Sequence, residues 1–323
     1  MTKLSVIVPF YNVREFAADT LGSLARNASP TTQFLLVDDQ ATDGTGQILD
    51  RWAERLPGAR VLRHEKNKGL AAARNTGLAA AAGDYVTFLD GDDWYAPGYL
   101  DKLVEAIDIL GVDFVRTDHV RATGTERKVV RAPGAPRGKV LRARDAIAPA
   151  HTETMVDYPN AWTSICRRSF IEETGLSYDE HLRTCEDRPW TWQLYLRAET
   201  FAVVGLLGIF YRRGVTTSLT QIGDERQLDF IPAHDLTMQR VLADPEADRY
   251  LPKIVRTFCA MIAYHMGNSV KYESQVRARL KRMSADALRR MPQDVLDATL
   301  LDMDHERARL LRRLRRRAGE NAA

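Results

Sequence analysis

Three carboxylates crowd into four positions of the stretch FLDGDDW, as Asp90, Asp92 and Asp93, directly after a run of β-forming residues. Like charges at that spacing repel and raise one another's pKa, so a bound divalent cation is their natural compensation. The donors are all oxygens, with no His or Cys beside them, which favours Mg2+ or Mn2+ over zinc. A solvated turn whose acids cap the next helix, expected from about Pro97, fits the same residues. The motif alone leaves both readings open.

A second acidic element, VDDQATDGT over residues 37–45, closes a strand pattern and opens a helical one. Asp38 and Asp39 at such a strand end suit the N–H of a uracil or the hydroxyls of a ribose, whereas Asp43 suits the cap of the following helix. A third pair, Glu186 and Asp187, heads the helical pattern RPWTWQLYL. Acids there are favoured by the helix macrodipole, so residue chemistry alone explains them as caps.

The elements that must position these groups follow an alternating pattern. Strands are expected over residues 4–8, 33–37, 60–63 and 85–89, and helices over 13–28, 44–56 and 69–82. Such alternation indicates βαβ units and a mostly parallel sheet, which binds ligands beyond the carboxyl ends of its strands. Tyr11 and Asn12, Asp38 and Asp39, and the cluster at residues 90–93 all fall at such ends, so one acidic crevice is expected. Residues 122–149 are rich in Arg, Gly and Pro and read as an exposed loop or irregular hairpin on the acceptor side. Helical periodicity resumes over 162–173 and 187–198, followed by an apolar strand over 202–211. A catalytic domain is expected over residues 1–220 and a helical one over 221–323, with helices at 225–242, 251–270, 275–291 and 293–317.

A chain of 323 residues with 45% hydrophobic residues buries a large core. Its 46 basic and 43 acidic residues are too balanced for nucleic acid as the main partner. Cys166, Cys185 and Cys259 are odd in number and widely spaced, which argues against a disulfide framework and for a reducing cytoplasm. No apolar run approaches the ~18 residues of a membrane span, so neither a signal peptide nor a transmembrane helix is expected.

Four motifs occur in order: SVIVPFYN at residues 5–12, LLVDDQATDGT at 35–45, NKGLAAARNTGLAAAAGDYVTFLDGDDW at 67–94 and CEDRPW at 185–190. Together they resemble family 2 of the inverting glycosyltransferases. The resemblance implies the α/β GT-A fold, a Rossmann-like, mostly parallel sheet flanked by helices, here with a smaller all-helical C-terminal region. It implies that Pro9, Tyr11, Asn12, Asp38 and Asp39 line the nucleoside pocket of a nucleotide-sugar donor, a UDP-sugar, with Lys68 and Arg74 flanking the base and diphosphate. In the acidic cluster, Asp90 and Gly91 belong to the donor site, Asp92 to the metal, and Asp93 to the acceptor side or to structure. Asp187 matches the position of the catalytic base, with Glu186 and Arg188 beside it on the acceptor or diphosphate side. The implied reaction leaves a nucleoside diphosphate whose charge Mn2+ or Mg2+ stabilises, while the base takes a proton from the acceptor hydroxyl on the opposite face. The implied acceptor is a cell-envelope glycan or polyol-phosphate polymer.

Two segments depart from the family pattern. AWTSICRRSF, residues 161–170, resembles a stretch in which a Trp, here Trp162, is closely followed by a Lys; Ser164 stands in the Lys position. FYRRGVTTSLT, residues 210–220, resembles a late segment in which a basic or His residue and a Ser approach the diphosphate. Arg212, Arg213 and Ser218 are the groups available there, and no His is present.

Residues 305–317 hold seven arginines against one glutamate, with Leu310, Leu311 and Leu314 on one stripe. Peripheral contact with the inner face of a membrane, attraction to an anionic polymer and packing in a homo-oligomer compete with a plain solvated face. Family members acting on wall teichoic acid resemble this layout, with a helical oligomerisation region after the GT-A domain. A sugar nucleotidyltransferase is disfavoured because PFYNVREF lacks the glycines that grip a triphosphate. A non-catalytic nucleotide-sugar-binding scaffold would be expected to lose Asp92 or Asp187, and both are present.

Overall fold

The computed structural model describes residues 1–134, 136–214 and 223–317. Ser218 and the expected domain boundary near residue 220 lie outside the described residues.

Strands and helices alternate through β1 (Leu4–Phe10), α1 (Arg14–Ala25), β2 (Thr32–Asp38), α2 (Thr45–Ala53), β3 (Ala59–Arg63), α3 (Leu70–Ala80) and β4 (Tyr85–Phe88). Every residue of β1 is buried, as befits a continuous apolar run covered by helices on both faces. Gly77 on α3 makes that covering close: a Cβ there would stand 2.3 Å from Cγ2 of Ile7. The middle of the chain forms β5 (Trp94–Tyr95), α4 (Tyr99–Leu110), β6 (Phe114–Thr117), β7 (His119–Thr123), β8 (Glu126–Val130), β9 (Leu141–Arg142), β10 (Ser164–Arg167), α5 (Arg168–Thr174), α6 (Asp187–Arg197), β11 (Thr200–Val204) and β12 (Ile209–Arg213). Helices α7 (Phe230–Leu242), α8 (Ala247–Gly267), α9 (Ser274–Arg290), α10 (Gln293–Asp302) and α11 (His305–Arg317) follow.

The main sheet has eight strands in the order β3-β2-β1-β4-β10-β6-β11-β9. Strands β3, β2, β1 and β4 are parallel; β10 runs antiparallel to both β4 and β6, β11 parallel to β6, and β9 antiparallel to β11. Most of the sheet therefore runs one way, as expected. A second sheet, β5-β12-β7-β8, takes its edge strand β5 from the residues directly after the acidic turn.

Three local expectations are corrected. Residues 162–173 are not one helix, because β10 inserts between β4 and β6 with Ile165 and Cys166 fully buried. A buried run that short has no periodicity to separate strand from helix. The apolar run 202–211 is divided between the two sheets as β11 and β12, with Gly205 and Gly208 between them. The last helix breaks at Met303 and Asp304, where Asp304 Oδ1 accepts the N–H groups of Glu306 and Arg307 at 2.9 and 3.1 Å and so starts α11. The segment expected as loop or hairpin begins as the β7–β8 hairpin.

Candidate active site

The neighbouring strands β2, β1 and β4 bring their carboxyl ends together, and the acidic turn lies across the end of β1. Gly91 permits this: a Cβ would stand 2.7 Å from the Pro9 carbonyl oxygen and 2.8 Å from the Phe10 ring. Thr20 on α1 holds the turn from below, its hydroxyl 2.7 Å from the Asp93 carbonyl. Asp93 is fully buried; one carboxylate oxygen accepts the Arg212 N–H at 2.7 Å and the other has no partner among the described residues. Burial, then Asp92 and Asp90, hold Asp93 well above the usual carboxylate range. Burial, with repulsion from Asp90, pushes Asp92 up to about 6. Helix α4 is capped instead at Gly98, so the solvated capping turn is not what these acids form.

Arg212 is built in behind the turn. Its Nε donates to the Asp92 carbonyl at 2.8 Å, its Nη2 lies 3.3 Å from Asp19, and its guanidinium is sandwiched between the rings of Phe16 and Trp94. Arg213 donates to the Tyr211 hydroxyl at 3.1 Å.

Arg74 joins the two halves of the site. From α3 it donates to Asp90 at 2.8 Å and to Glu186 at 2.7 Å, with its side chain only 3% exposed. Burial would lower its pKa, but Asp90, Tyr178 and Glu186 raise it, and the guanidinium stays charged. Its guanidinium lies over Tyr178, which stacks on Trp190 of α6 at 4.2 Å, and Phe88 of β4 meets both rings edge-on. One aromatic wedge thus fixes α6 against the strand that carries the acidic cluster. The alanine-rich face of α3 allows this depth, since small neighbours let a long Arg lie inside.

The polar residues expected to line the nucleoside pocket are largely engaged within the protein. Asp39 accepts four hydrogen bonds at 2.7–2.8 Å, from His64 Nδ1, Asn67 Nδ2 and the N–H groups of Lys68 and Gly69. Asp38 accepts from the Ala41 N–H at 2.9 Å and pairs with Arg63 at 3.3 Å. Asn12, at a φ of 50°, accepts the Thr42 N–H at 2.8 Å. Asp43 caps as expected, accepting the first N–H of both α1 (Arg14) and α2 (Thr45) at 2.9 Å. Pro9 is buried in β1, whereas Tyr11 is exposed. Lys68 lines a basic concavity with Arg63, His64, Glu65 and Lys66. Trp162 sits in an aromatic nest with His119 and Tyr211, and Ser164 Oγ meets Nη1 of the fully buried Arg116 at 3.3 Å.

Asp187 opens α6, and its carboxylate accepts no hydrogen bond among the described residues. Burial, then repulsion from Glu186, pushes it up to about 7 against the pull of Arg188 and Arg74. Burial likewise raises Glu186, which Arg74 holds. The Arg188 guanidinium makes no hydrogen bond among the described residues and lies near His234 and His265 on α7 and α8. Burial, with Arg188 adding to it, lowers these rings to about 3 and about 4, so both are neutral.

Among the described residues no three His, Cys or acidic side chains form a ready-made metal cage. The partnerless Asp93 oxygen and the proton-hungry Asp92 still suit a hard cation, because Mg2+ and Mn2+ are commonly held by one or two carboxylates with the remaining positions filled by substrate phosphate and water.

This fold and site define a class. The profile of glycosyl transferase family 2 matches residues 5–171, and the chain belongs to that family. The uncharacterized glycosyltransferase EpsJ of Bacillus subtilis is 31% identical over 70% of this chain and 65% of its own length. The poly(ribitol-phosphate) beta-N-acetylglucosaminyltransferase TarS of Staphylococcus aureus is 29% identical over 65% of this chain, which spans 35% of TarS. The crystal structure of S. aureus TarS with UDP-GlcNAc aligns at a TM-score of 0.78 and 22% identity, covering 97% of this chain and 87% of that one, a likeness of fold.

Sequence reasoning missed the Arg74 bridge and the saturation of Asp39. The signal for Arg74 was present, as the one long charged side chain within LAAARNTGLAA. Nothing local marked Glu186 as its partner.

Proposed function

We propose that the chain transfers a sugar, with inversion, from a nucleoside-diphosphate donor to an acceptor hydroxyl, with Asp187 as general base. The observation that carries this reading is a carboxylate with no hydrogen-bond partner among the described residues, set at the start of α6 beside Glu186, which Arg74 ties to Asp90 of the acidic turn; burial pushes it up to about 7. A base works best when its pKa lies near the operating pH. Asp92, with Asp93 behind it, would hold Mn2+ or Mg2+, which when bound supplies Lewis-acid stabilisation of the departing diphosphate. Asp90 is held in place by Arg74 at the donor side.

A UDP-sugar is the donor of choice, because TarS, the fold neighbour, was solved with UDP and with UDP-GlcNAc. An anionic polyol-phosphate polymer or related cell-envelope glycan is the acceptor of choice, in keeping with the names of the relatives. Residues 1–220 are read as the catalytic domain and 221–323 as an acceptor-side helical one. Leu311 and Leu314 of α11 are buried, while Arg309, Arg313 and Arg316 are exposed, which supports electrostatic contact with an anionic acceptor over insertion into a membrane. No described helix is long and apolar enough to cross a membrane.

A screen of nucleotide sugars with Mn2+ or Mg2+ tests the reading by release of the nucleoside diphosphate. Turnover of at least one UDP-sugar is expected; if no nucleotide sugar binds or turns over with either metal, the proposal fails.

A further inference from the structure

The loop that carries Glu186 and Asp187 is gripped by residues beyond the catalytic sheets. The short turn Glu225–Asp229 leads into α7, and Asp229 Oδ2 accepts the N–H groups of Arg183 at 2.6 Å and Thr184 at 3.3 Å. In return, the buried Thr184 donates its hydroxyl to the Arg226 carbonyl at 2.6 Å. Three hydrogen bonds therefore converge on the two residues that precede Cys185.

Cys185 has a φ of 61°, a left-handed backbone that costs a non-glycine residue about 1–2 kcal/mol. Surrounding contacts must impose such a conformation. On the far side of this kink, Glu186 is fixed by Arg74 and α6 begins with Asp187. The kinked peptide is thus clamped at both ends, by Asp229 before it and by Arg74 after it. The turn is itself braced, because Glu225 pairs with Arg279 of α9 at 2.7 Å.

We propose that Asp229 is a positioning residue for the catalytic base: by holding the Arg183 and Thr184 amides it sets the turn at Cys185 that aims the Asp187 carboxylate. The helical region would then contribute to chemistry without touching a substrate. This rests on the reading of Asp187 as base. The charged groups facing Asp187 are Glu186, Arg188, Arg74 and Asp90, and beyond Arg188 the two neutral histidines. None of these needs to change when the clamp is loosened.

The test compares Asp229→Ala, Asp229→Asn and Thr184→Val in the full chain. Misplacing a reacting group by about 1 Å can cost on the order of 100-fold in rate, so Asp229→Ala is expected to lower kcat by about 10- to 100-fold with UDP affinity unchanged. Loosening the loop admits water to Asp187, so the acid limb of the rate profile should move below pH 7. Asp229→Asn keeps an acceptor oxygen and should restore most of the rate, while Thr184→Val, a milder change, should share the direction of both shifts. Unchanged kcat in Asp229→Ala, or a parallel loss of UDP affinity, overturns the proposal. Hydrogen exchange through residues 183–187 reports the clamp without turnover: faster exchange in Asp229→Ala is expected, and unaltered exchange also overturns it. Faster exchange in Asp229→Ala together with a wild-type chain that transfers no sugar would count against the proposed function, not against the clamp.

Discussion

In the crevice, Arg74, Glu186 and Asp93 are buried and Asp90 acts on both buried carboxylates, whereas on α11 the arginines at 309, 313 and 316 stand in water. The remaining α11 arginines with described side chains are engaged more lightly: Arg307 with Asp304, Arg315 with Asp297, and Arg312 with the Leu300 carbonyl. The two regions are comparably rich in charge. Two charges 4 Å apart interact by about 1 kcal/mol in water and about 4 kcal/mol at the effective dielectric of a partly desolvated site. Charge density along a chain thus says little about energy until burial is known.

The largest effect is expected at Asp187, the proposed base. Asp187→Asn should lower transfer by about 100- to 10,000-fold while UDP binding, followed by calorimetry, is retained. Substantial residual transfer would remove Asp187 from the role. Arg74→Met should be the most destabilising change, by about 3–5 kcal/mol in denaturant titrations, because it leaves the buried Glu186 and the half-buried Asp90 uncompensated. Gly91→Ala should cost about 1–3 kcal/mol, since its methyl group meets the end of β1.

A pH series sharpens the same contrast. With Asp187 as the proposed base, its ionised form would do the work, so transfer should rise through about pH 7 and level off above it. Its effect on stability has the opposite sign. The folded chain holds this proton up to about pH 7, against 3.8 when unfolded, so the penalty begins above about pH 4 and is complete above pH 7. Asp187→Asn should therefore raise the melting temperature more at pH 8 than at pH 5; an equal rise at both would show that the carboxylate is not desolvated. The smallest effect belongs to α11, where replacing Arg309, Arg313 and Arg316 by Gln should change stability by less than about 1 kcal/mol. Binding of a polyol-phosphate polymer should weaken in that triple variant and lose its sensitivity to salt.

The alternating first hundred residues, the polar groups at three strand ends and the cap at Asp43 are legible in the sequence alone. Each depends on runs or spacings of a few residues, which local periodicity and backbone chemistry dictate. The helical tail was legible for the same reason, apart from the break that Asp304 makes. Tertiary packing settled that β10 fills the centre of the sheet, since a run of four residues, three of them buried, suits strand or helix equally. It also decided that Arg74 binds Glu186, that Asp39 pins the loop at Lys68 and that Asp229 reaches the loop before Asp187. Those pairings join residues far apart in the chain, and burial alone turns them from solvated charges into a preorganised site.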